Sequence, residues 1–161
     1  IPEVRAASLL AMMGVLDLAG TTFSGWLSDR YNSRYLLCWY YGLRGCALLG
    51  LPTALAGHSW GLSAFAIFYG LDWIATVPPT VRLTADAFGR EKVGVMFGWI
   101  FAAHQIGASL ATLGAGTIRT YLGDYFPAFL AAGLLCLFAS TMVLRIGKAT
   151  DGAEPAGAPA A

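Results

Sequence analysis

Four Asp, Arg or His side chains lie near the middle of long apolar runs of this sequence, and we expect its chemistry at these positions. They are Asp17, Arg44, Asp72 and His104, the last of which is followed directly by Gln105. An ionisable group in hydrocarbon is costly, so each must face a protein interior or a water-filled path. We therefore treat all five residues as candidates for binding a polar solute or for proton coupling.

Asp17 lies near the middle of the first apolar run. Loss of water disfavours the charged form of a carboxylate, so Asp17 could take up a proton when its surroundings close and water leaves. The alternative is structural, in which the side chain only ties its helix to a neighbouring helix. The residues alone leave both interpretations open.

Arg44 lies near the centre of the second run. Its guanidinium stays charged in a membrane and matches a carboxylate through two parallel hydrogen bonds, so it is a candidate anion site. A membrane-buried arginine also needs a partner. A structural ion pair with Asp17 or Asp72 is therefore the favoured interpretation, and the sequence leaves open whether Arg44 binds solute as well.

Asp72 lies shortly before the pair Pro78-Pro79 in the third run. Two prolines remove backbone donors, so the helix is predicted to break or bend near them. Broken helices at membrane depth are common where solutes bind or where hinges lie, which favours Asp72 as a cavity residue. Tyr69 and Trp73 would add aromatic walls with polar tips, although aromatics at helical spacing are also typical of ordinary packing.

His104 and Gln105 form the last candidate pair, in the fourth run. A histidine titrates near neutral pH and suits proton coupling. A lone histidine in a membrane equally serves as a hydrogen-bond donor between helices. Small residues recur in the same run at a fourfold spacing that predicts a packing stripe without chemistry. They are Gly94, Gly98, Ala102, Gly107, Ala111 and Ala115.

The elements that must position these side chains follow from composition. The chain has 161 residues, of which 57% are hydrophobic and 12% charged, and its mean hydropathy is +0.63. Such values lie outside the range of soluble domains and indicate an integral membrane protein. Five continuous apolar runs, at 6–27, 35–56, 60–83, 93–118 and 125–146, are each about 20 residues long and favour helices over a barrel. The predicted fold is an all-α, polytopic membrane bundle of five transmembrane helices.

The domain plan and orientation are predicted from the same runs. Residues 1–147 form the helical bundle, and the Ala-, Pro- and Gly-rich segment 148–161 is predicted to be a disordered tail. Lys and Arg concentrate on one side, which predicts that side to be cytoplasmic, with the N-terminus outside and the C-terminus and tail inside. The chain begins at Ile1 without an initiator Met, which is typical of an internal stretch of a longer protein. We expect no enzyme activity, cofactor, metal or nucleic-acid partner.

The loop between the first two runs carries the pattern Gly-x-x-x-Asp-Arg-x-x-x-Arg, formed by Gly25, Asp29, Arg30 and Arg34. It resembles the signature loop of the major facilitator superfamily of secondary transporters, which lies between the second and third helices of each six-helix half. Two positions depart from that signature. Asn32 lies where Gly is usual, and Ser33 lies where a basic residue is common. An Asn tolerates a left-handed backbone, so the turn is expected to survive.

The resemblance extends over most of the chain. The segment 86–94 is similar to the loop that joins the fourth and fifth helices of a half. The chain therefore looks like helices eight to twelve of a twelve-helix transporter, with the N-terminal half missing. Asp17 favours a resemblance to the branch of monocarboxylate transporters and oxalate–formate antiporters. In that branch an Arg four residues after this Asp pairs with substrate, and this sequence has Thr21 there.

The resemblance implies a fragment of a secondary active transporter in the cell or inner membrane. It would move a small solute by alternating access, with an organic anion such as a monocarboxylate favoured and a proton or counter-anion as coupling partner. A drug or a sugar is left open as the solute, because Thr21 removes the clearest anion contact. Asp29, Arg30 and Arg34, with Gly25, would then hold one conformational state. One alternative is a five-span scaffold or assembly protein without transport. A second is an intramembrane enzyme using Asp17 with Asp72, although neither lies in a recognised catalytic motif.

Overall fold

A computed structural model describes residues 3–56 and 59–146, and all of its regular structure is helical. The helices are α1 (Glu3–Ser28), α2 (Ser33–Ala56), α3 (Ser59–Asp72), α4 (Val77–Phe88), α5 (Val93–Leu122) and α6 (Phe126–Val143). The predicted tail at 148–161 lies outside the described residues. Helix ends differ from the predicted runs by a few residues, and the third run is divided into α3 and α4.

Four segments are long and apolar enough to cross a membrane, by length and composition. They are Glu3–Ser28, Gly61–Phe88, Val93–Leu122 and Phe126–Val143, the second of which contains both α3 and α4. α2 is also long enough, at 24 residues or about 36 Å at 1.5 Å per residue, but its charged and aromatic side chains make it less apolar. The all-α, polytopic bundle predicted from the sequence is confirmed.

Two helix pairs form the tightest contacts, α2 with α6 and α1 with α3. A Cβ added at Gly20 of α1 would clash with the backbone carbonyl of Leu71. A side chain added at Gly70 of α3 would lie 2.9 Å from the Cα of Met13. Glycine at both positions therefore lets the α1 and α3 backbones approach closely, as small residues do between membrane helices. This contact fixes α3 against α1 just before α3 ends.

α5 lies at the edge of the described bundle and contacts only α4 and α6 among its helices. None of its 30 residues is buried. A Cβ added at Gly94, Gly98 or Gly107 would meet nothing within 4 Å. The predicted packing stripe on this helix is therefore wrong for the described residues, where no helix approaches those glycines closely.

Candidate functional site

The candidate site is built around the interruption between α3 and α4, at residues 73–76. α4 begins at Val77, so Pro78 and Pro79 lie in its first turn. Proline is tolerated there because the first backbone N–H groups of a helix have no partner within the helix. The helix therefore breaks just before the two prolines, and the backbone groups released by the break must find other partners.

Arg44 of α2 binds the end of α3. Its Nε donates to Asp72 Oδ2 at 2.8 Å, which forms an ion pair. Its Nη2 donates to the carbonyl of Asp72 and, at 3.0 Å, to the carbonyl of Trp73. A cation here satisfies the last carbonyls of α3 and opposes the negative end of the helix dipole. Of the two partners predicted for Arg44, the structure brings Asp72 and not Asp17 to the guanidinium.

Two side chains of α1 bind the break from its other side. Oδ1 of Asp17 accepts the backbone N–H of Ile74 at 2.9 Å, and it also accepts the hydroxyl of Thr21 at 3.4 Å. The hydroxyl of Ser24 donates to the carbonyl of Ala75. Four backbone groups at residues 72–75 are thus bound by side chains of the two neighbouring helices, which is how broken membrane helices are stabilised.

Asp72 itself is buried, with 5% of its surface exposed. Only Oδ2 is paired with Arg44, and the buried Oδ1 has no hydrogen-bond partner among the described residues. A buried carboxylate oxygen without a partner is costly, so the ion pair with Arg44 is the main interaction that stabilises this side chain.

A cavity of about 490 Å³ lies beside the break. It is lined by Tyr41 and Arg44 of α2, Tyr69 of α3, the break and first turn of α4 (Trp73, Ile74, Thr76, Val77, Thr80), and Phe97, Ile100, Phe101 and His104 of α5. Among these residues Arg44 is the only one with a permanent charge. Its Nη1 takes part in none of the three contacts to α3, so the guanidinium has a donor edge left for a ligand.

The remaining predicted site residues are distributed unevenly around this cavity. His104 lines it and stacks on Phe101, with 6.2 Å between ring centroids. Gln105 is exposed and does not line it. Asp17 contacts the break and does not line this cavity. Asp72 lines a different, mostly apolar cavity of about 490 Å³, between α1, α2 and α3. Arg44 and His104 are therefore the two predicted residues that the structure brings to the same cavity.

A second polar cluster lies at the loop between α1 and α2. Asp29 pairs with Arg82 of α4 at 3.3 Å, and Arg82 also pairs with Asp86 at 3.5 Å. The guanidinium of Arg30 lies 4.1 Å from the centre of the Trp26 ring. These exposed charges connect the loop to α4, although exposed ion pairs of this kind contribute little stability.

Asn32 does not adopt the left-handed backbone that the sequence suggested, since no described non-glycine residue has a positive φ. Its Oδ1 instead accepts the backbone N–H of Arg34 at 3.0 Å, one residue inside the start of α2. Asn is a strong N-cap because its side chain satisfies an orphan N–H of the first turn. The departure from the signature at this position therefore supplies a helix cap.

Comparison with known proteins defines the class of this chain. The family model described as Major Facilitator Superfamily matches residues 2–160. The chain therefore belongs to the major facilitator superfamily, a family of membrane transporters. No solved structure matches the chain.

Individual relatives agree with this class. Monocarboxylate transporter 12 of Xenopus laevis is 28% identical over 150 residues, which cover 89% of this chain and 32% of that protein. Monocarboxylate transporter 12 of Mus musculus is 29% identical over 151 residues, covering 89% and 30% respectively. A probable hexose phosphate transport protein of Chlamydia pneumoniae is 29% identical over 117 residues, covering 71% and 24%. The chain thus spans about a third of the length of the first of these relatives, and their names differ in the solute.

Sequence reasoning missed several members of the site. Ser24 lies seven residues after Asp17, on the same face of α1, and this spacing could have identified it. Arg82 could have been paired with the signature loop, because both lie at the same predicted membrane surface. Phe101 and Phe97 lie about one and two turns before His104, yet nothing in the sequence shows that this face of α5 lines a cavity together with α2 and α3.

Proposed function

We propose that this chain is part of a secondary transporter that moves a small organic anion across the cell membrane by alternating access. The observation that carries the proposal is Arg44, whose guanidinium lines a cavity beside a broken helix and whose Nη1 makes no hydrogen bond to the described residues. Solute sites formed by broken helices near the membrane midplane are typical of secondary transporters. A positive charge in such a cavity favours an anion.

The broken helix supplies the geometry for this role. Arg44 and Asp17 bind the break from two neighbouring helices, so hydrogen bonds to the backbone position the cavity wall at Trp73 and Ile74. A scaffold protein would need the ion pair but no cavity beside it. The names of the relatives, two of them monocarboxylate transporters, agree with a carboxylate as the anion.

The signature loop fits a conformational role in the proposed transporter. The Asp29–Arg82 pair joins the α1–α2 loop to α4, whose other end forms the break. We place this loop in the cytoplasm, with the N-terminus of the chain outside, because Lys and Arg concentrate on that side. Breaking the Asp29–Arg82 ion pair would let α4 move relative to α1. Binding of the proton or counter-anion that drives transport would favour one position of α4.

Uptake of labelled carboxylates by the full-length parent protein in proteoliposomes tests the proposal. We expect uptake driven by a proton or counter-anion gradient. Arg44→Gln is expected to weaken apparent affinity by about 10- to 100-fold, since a hydrogen bond to a charged group contributes about 1.5–3 kcal/mol. Arg44→Lys, which keeps the charge but loses the planar donor edge, should fall in between.

Arg119→Gln is the matched control, because Arg119 is also a helical arginine but lies at the far end of α5 over Tyr125. It should leave uptake unchanged. Absence of uptake for every carboxylate by correctly folded protein would reject the organic-anion proposal and leave only the family.

A further inference from the structure

The wall of the cavity is unusually aromatic. Five of its twelve lining residues are Tyr, Trp or Phe, and His104 adds a sixth ring. These rings come from α2, from α3 with the break that follows it, and from α5, so no single helix repeat accounts for them. Aromatic faces left open in a cavity offer stacking surfaces to a planar ligand.

Two rings flank the cationic end of the cavity. The guanidinium carbon of Arg44 lies 6.0 Å from the ring centre of Tyr41 and 6.0 Å from that of Tyr69. Tyr69 in turn meets Trp73 edge to face, with 6.0 Å between centroids. A carboxylate bound to Arg44 would therefore have its organic body beside these rings, not in an aliphatic or polar pocket.

The opposite wall is a ladder of rings on α5. Phe97 stacks on Phe101 at 6.3 Å, and Phe101 stacks on His104 at 6.2 Å. Phe101 is 50% exposed, and Trp73 on the other wall is 45% exposed. Both walls thus have ring surface that the described protein residues do not cover.

Besides Arg44, the cavity is lined by polar groups of Tyr41, Tyr69, Trp73, Thr76, Thr80 and His104. The hydroxyl of Thr80 is already used, because it donates to the backbone carbonyl of Thr76 at 2.6 Å. The cavity volume of about 490 Å³ far exceeds a three-carbon acid, which occupies about as much space as three or four waters, on the order of 100 Å³.

We propose that the solute is an aromatic carboxylic acid, with its carboxylate on Arg44 and its ring in the cavity against Trp73 and Phe101. This inference rests on the proposed function and narrows its substrate class. The tyrosine hydroxyls and His104 would bind a polar substituent on the acid. The rings act as specificity-determining contacts, since stacking distinguishes a planar ring from an aliphatic chain of equal size.

Pairs of substrates that differ only in one group separate the contribution of the aromatic ring to uptake from that of the carboxylate. Labelled pyruvate and phenylpyruvate share the same acid group and differ only by a phenyl ring. 3-Phenylpropionate and 3-cyclohexylpropionate have similar size and differ in aromaticity. In proteoliposomes of the full-length parent, with uptake into protein-free vesicles subtracted, we expect kcat/KM for phenylpyruvate to exceed that for pyruvate by about tenfold or more. 3-Phenylpropionate should exceed its cyclohexyl analogue.

Substitutions in the cavity wall test whether the cavity causes the preference for the aromatic acid. Trp73→Leu and Phe101→Leu are expected to lower the phenylpyruvate-to-pyruvate ratio several-fold, and Trp73→Phe should restore most of it because a ring is retained. Trp99→Leu is the control, since Trp99 lies on α5 with 71% of its surface exposed but does not line the cavity. The phenylpyruvate-to-pyruvate ratio of Trp99→Leu should equal that of the unaltered protein.

The outcomes distinguish this inference from the proposed function. Pyruvate uptake without a preference for the aromatic acid would overturn the inference and keep the organic-anion transporter. A preference that persists in both leucine variants would also overturn it, because the ring would then bind elsewhere. Failure of every acid to enter would instead reject the proposed function itself.

Discussion

Replacing Arg44 by Leu is expected to destabilise the full-length parent by about 3–5 kcal/mol, because it leaves the buried carboxylate of Asp72 without a countercharge. The same change removes the donor for the carbonyls of Asp72 and Trp73 at the end of α3. The measurement is the thermal unfolding midpoint of the purified protein in detergent. The midpoint should fall by several degrees, with reduced yield in the membrane.

A double-mutant cycle identifies the cause. Arg44→Leu with Asp72→Leu removes both charges, so most of the lost stability should return, since an apolar pair often replaces a buried ion pair without net cost. Anion uptake should not return, because the cavity has lost its cation. Arg82→Leu is the control, as its pair with Asp29 is exposed on both sides and contributes at most about 1 kcal/mol. Equal losses in Arg44→Leu and Arg82→Leu would contradict a buried, structural Arg44–Asp72 pair.

Substitution of Asp17 is expected to have the second large effect on stability and uptake. The size of the effect depends on whether the new side chain keeps a hydrogen-bond acceptor. Asp17→Asn keeps a carbonyl oxygen that can accept the N–H of Ile74, so we expect stability and gradient-driven uptake close to those of the unaltered protein. Asp17→Leu removes the acceptor and leaves that N–H unsatisfied. A loss of about 1–3 kcal/mol and a clear fall in uptake should follow.

The same pair of variants distinguishes positioning from proton coupling. The measurements are unfolding midpoints together with two transport modes, uptake driven by a pH gradient and exchange of solute without one. Thr22→Val is a control on the same helix, because its hydroxyl bonds only to the carbonyl of Leu18. If Asp17→Asn abolishes gradient-driven uptake while exchange persists, the coupling proton is on Asp17 and our positioning role for it is wrong.

Much of the fold follows from the sequence, because apolar runs of membrane length separated by charged loops allow little besides antiparallel helices. The break in the third run was also predictable, since Pro78 and Pro79 cannot continue a helix from before them. Its exact position was not, because a helix can accept prolines in its own first turn. The structure places both there, and this moves the break to residues 73–76.

The site was less predictable than the fold. Burial of charge singled out Arg44 and Asp72, and their pairing was one of two arrangements that the sequence allowed. Asp17 and Ser24 reach the backbone of residues 74 and 75 only because α1 lies close to α3. Gly20 permits this close approach, but a glycine in the sequence does not by itself predict it. The aromatic cavity depends on how α2, α3 and α5 face one another, and such packing of distant segments is not encoded in any local pattern.

The most direct test of the central claim, that the cavity at Arg44 is the path of the anion, is protection of a cysteine placed in its wall. Cys38, Cys46 and Cys136 are free thiols and would first be replaced in the full-length parent. Thr80→Cys then lies in the cavity, and Glu91→Cys in the connection between α4 and α5 is an exposed control outside it. The measured quantity is the rate of modification by a charged, membrane-impermeant methanethiosulfonate reagent.

We predict that the transported acid, at about ten times its Kd, slows modification of the cysteine at position 80 about tenfold, as simple occupancy requires. The cysteine at position 91 should react at the same rate with and without the acid. Modification at position 80 that is unaffected by an acid the protein demonstrably transports would contradict the account, because the anion would then cross by a route that avoids this cavity.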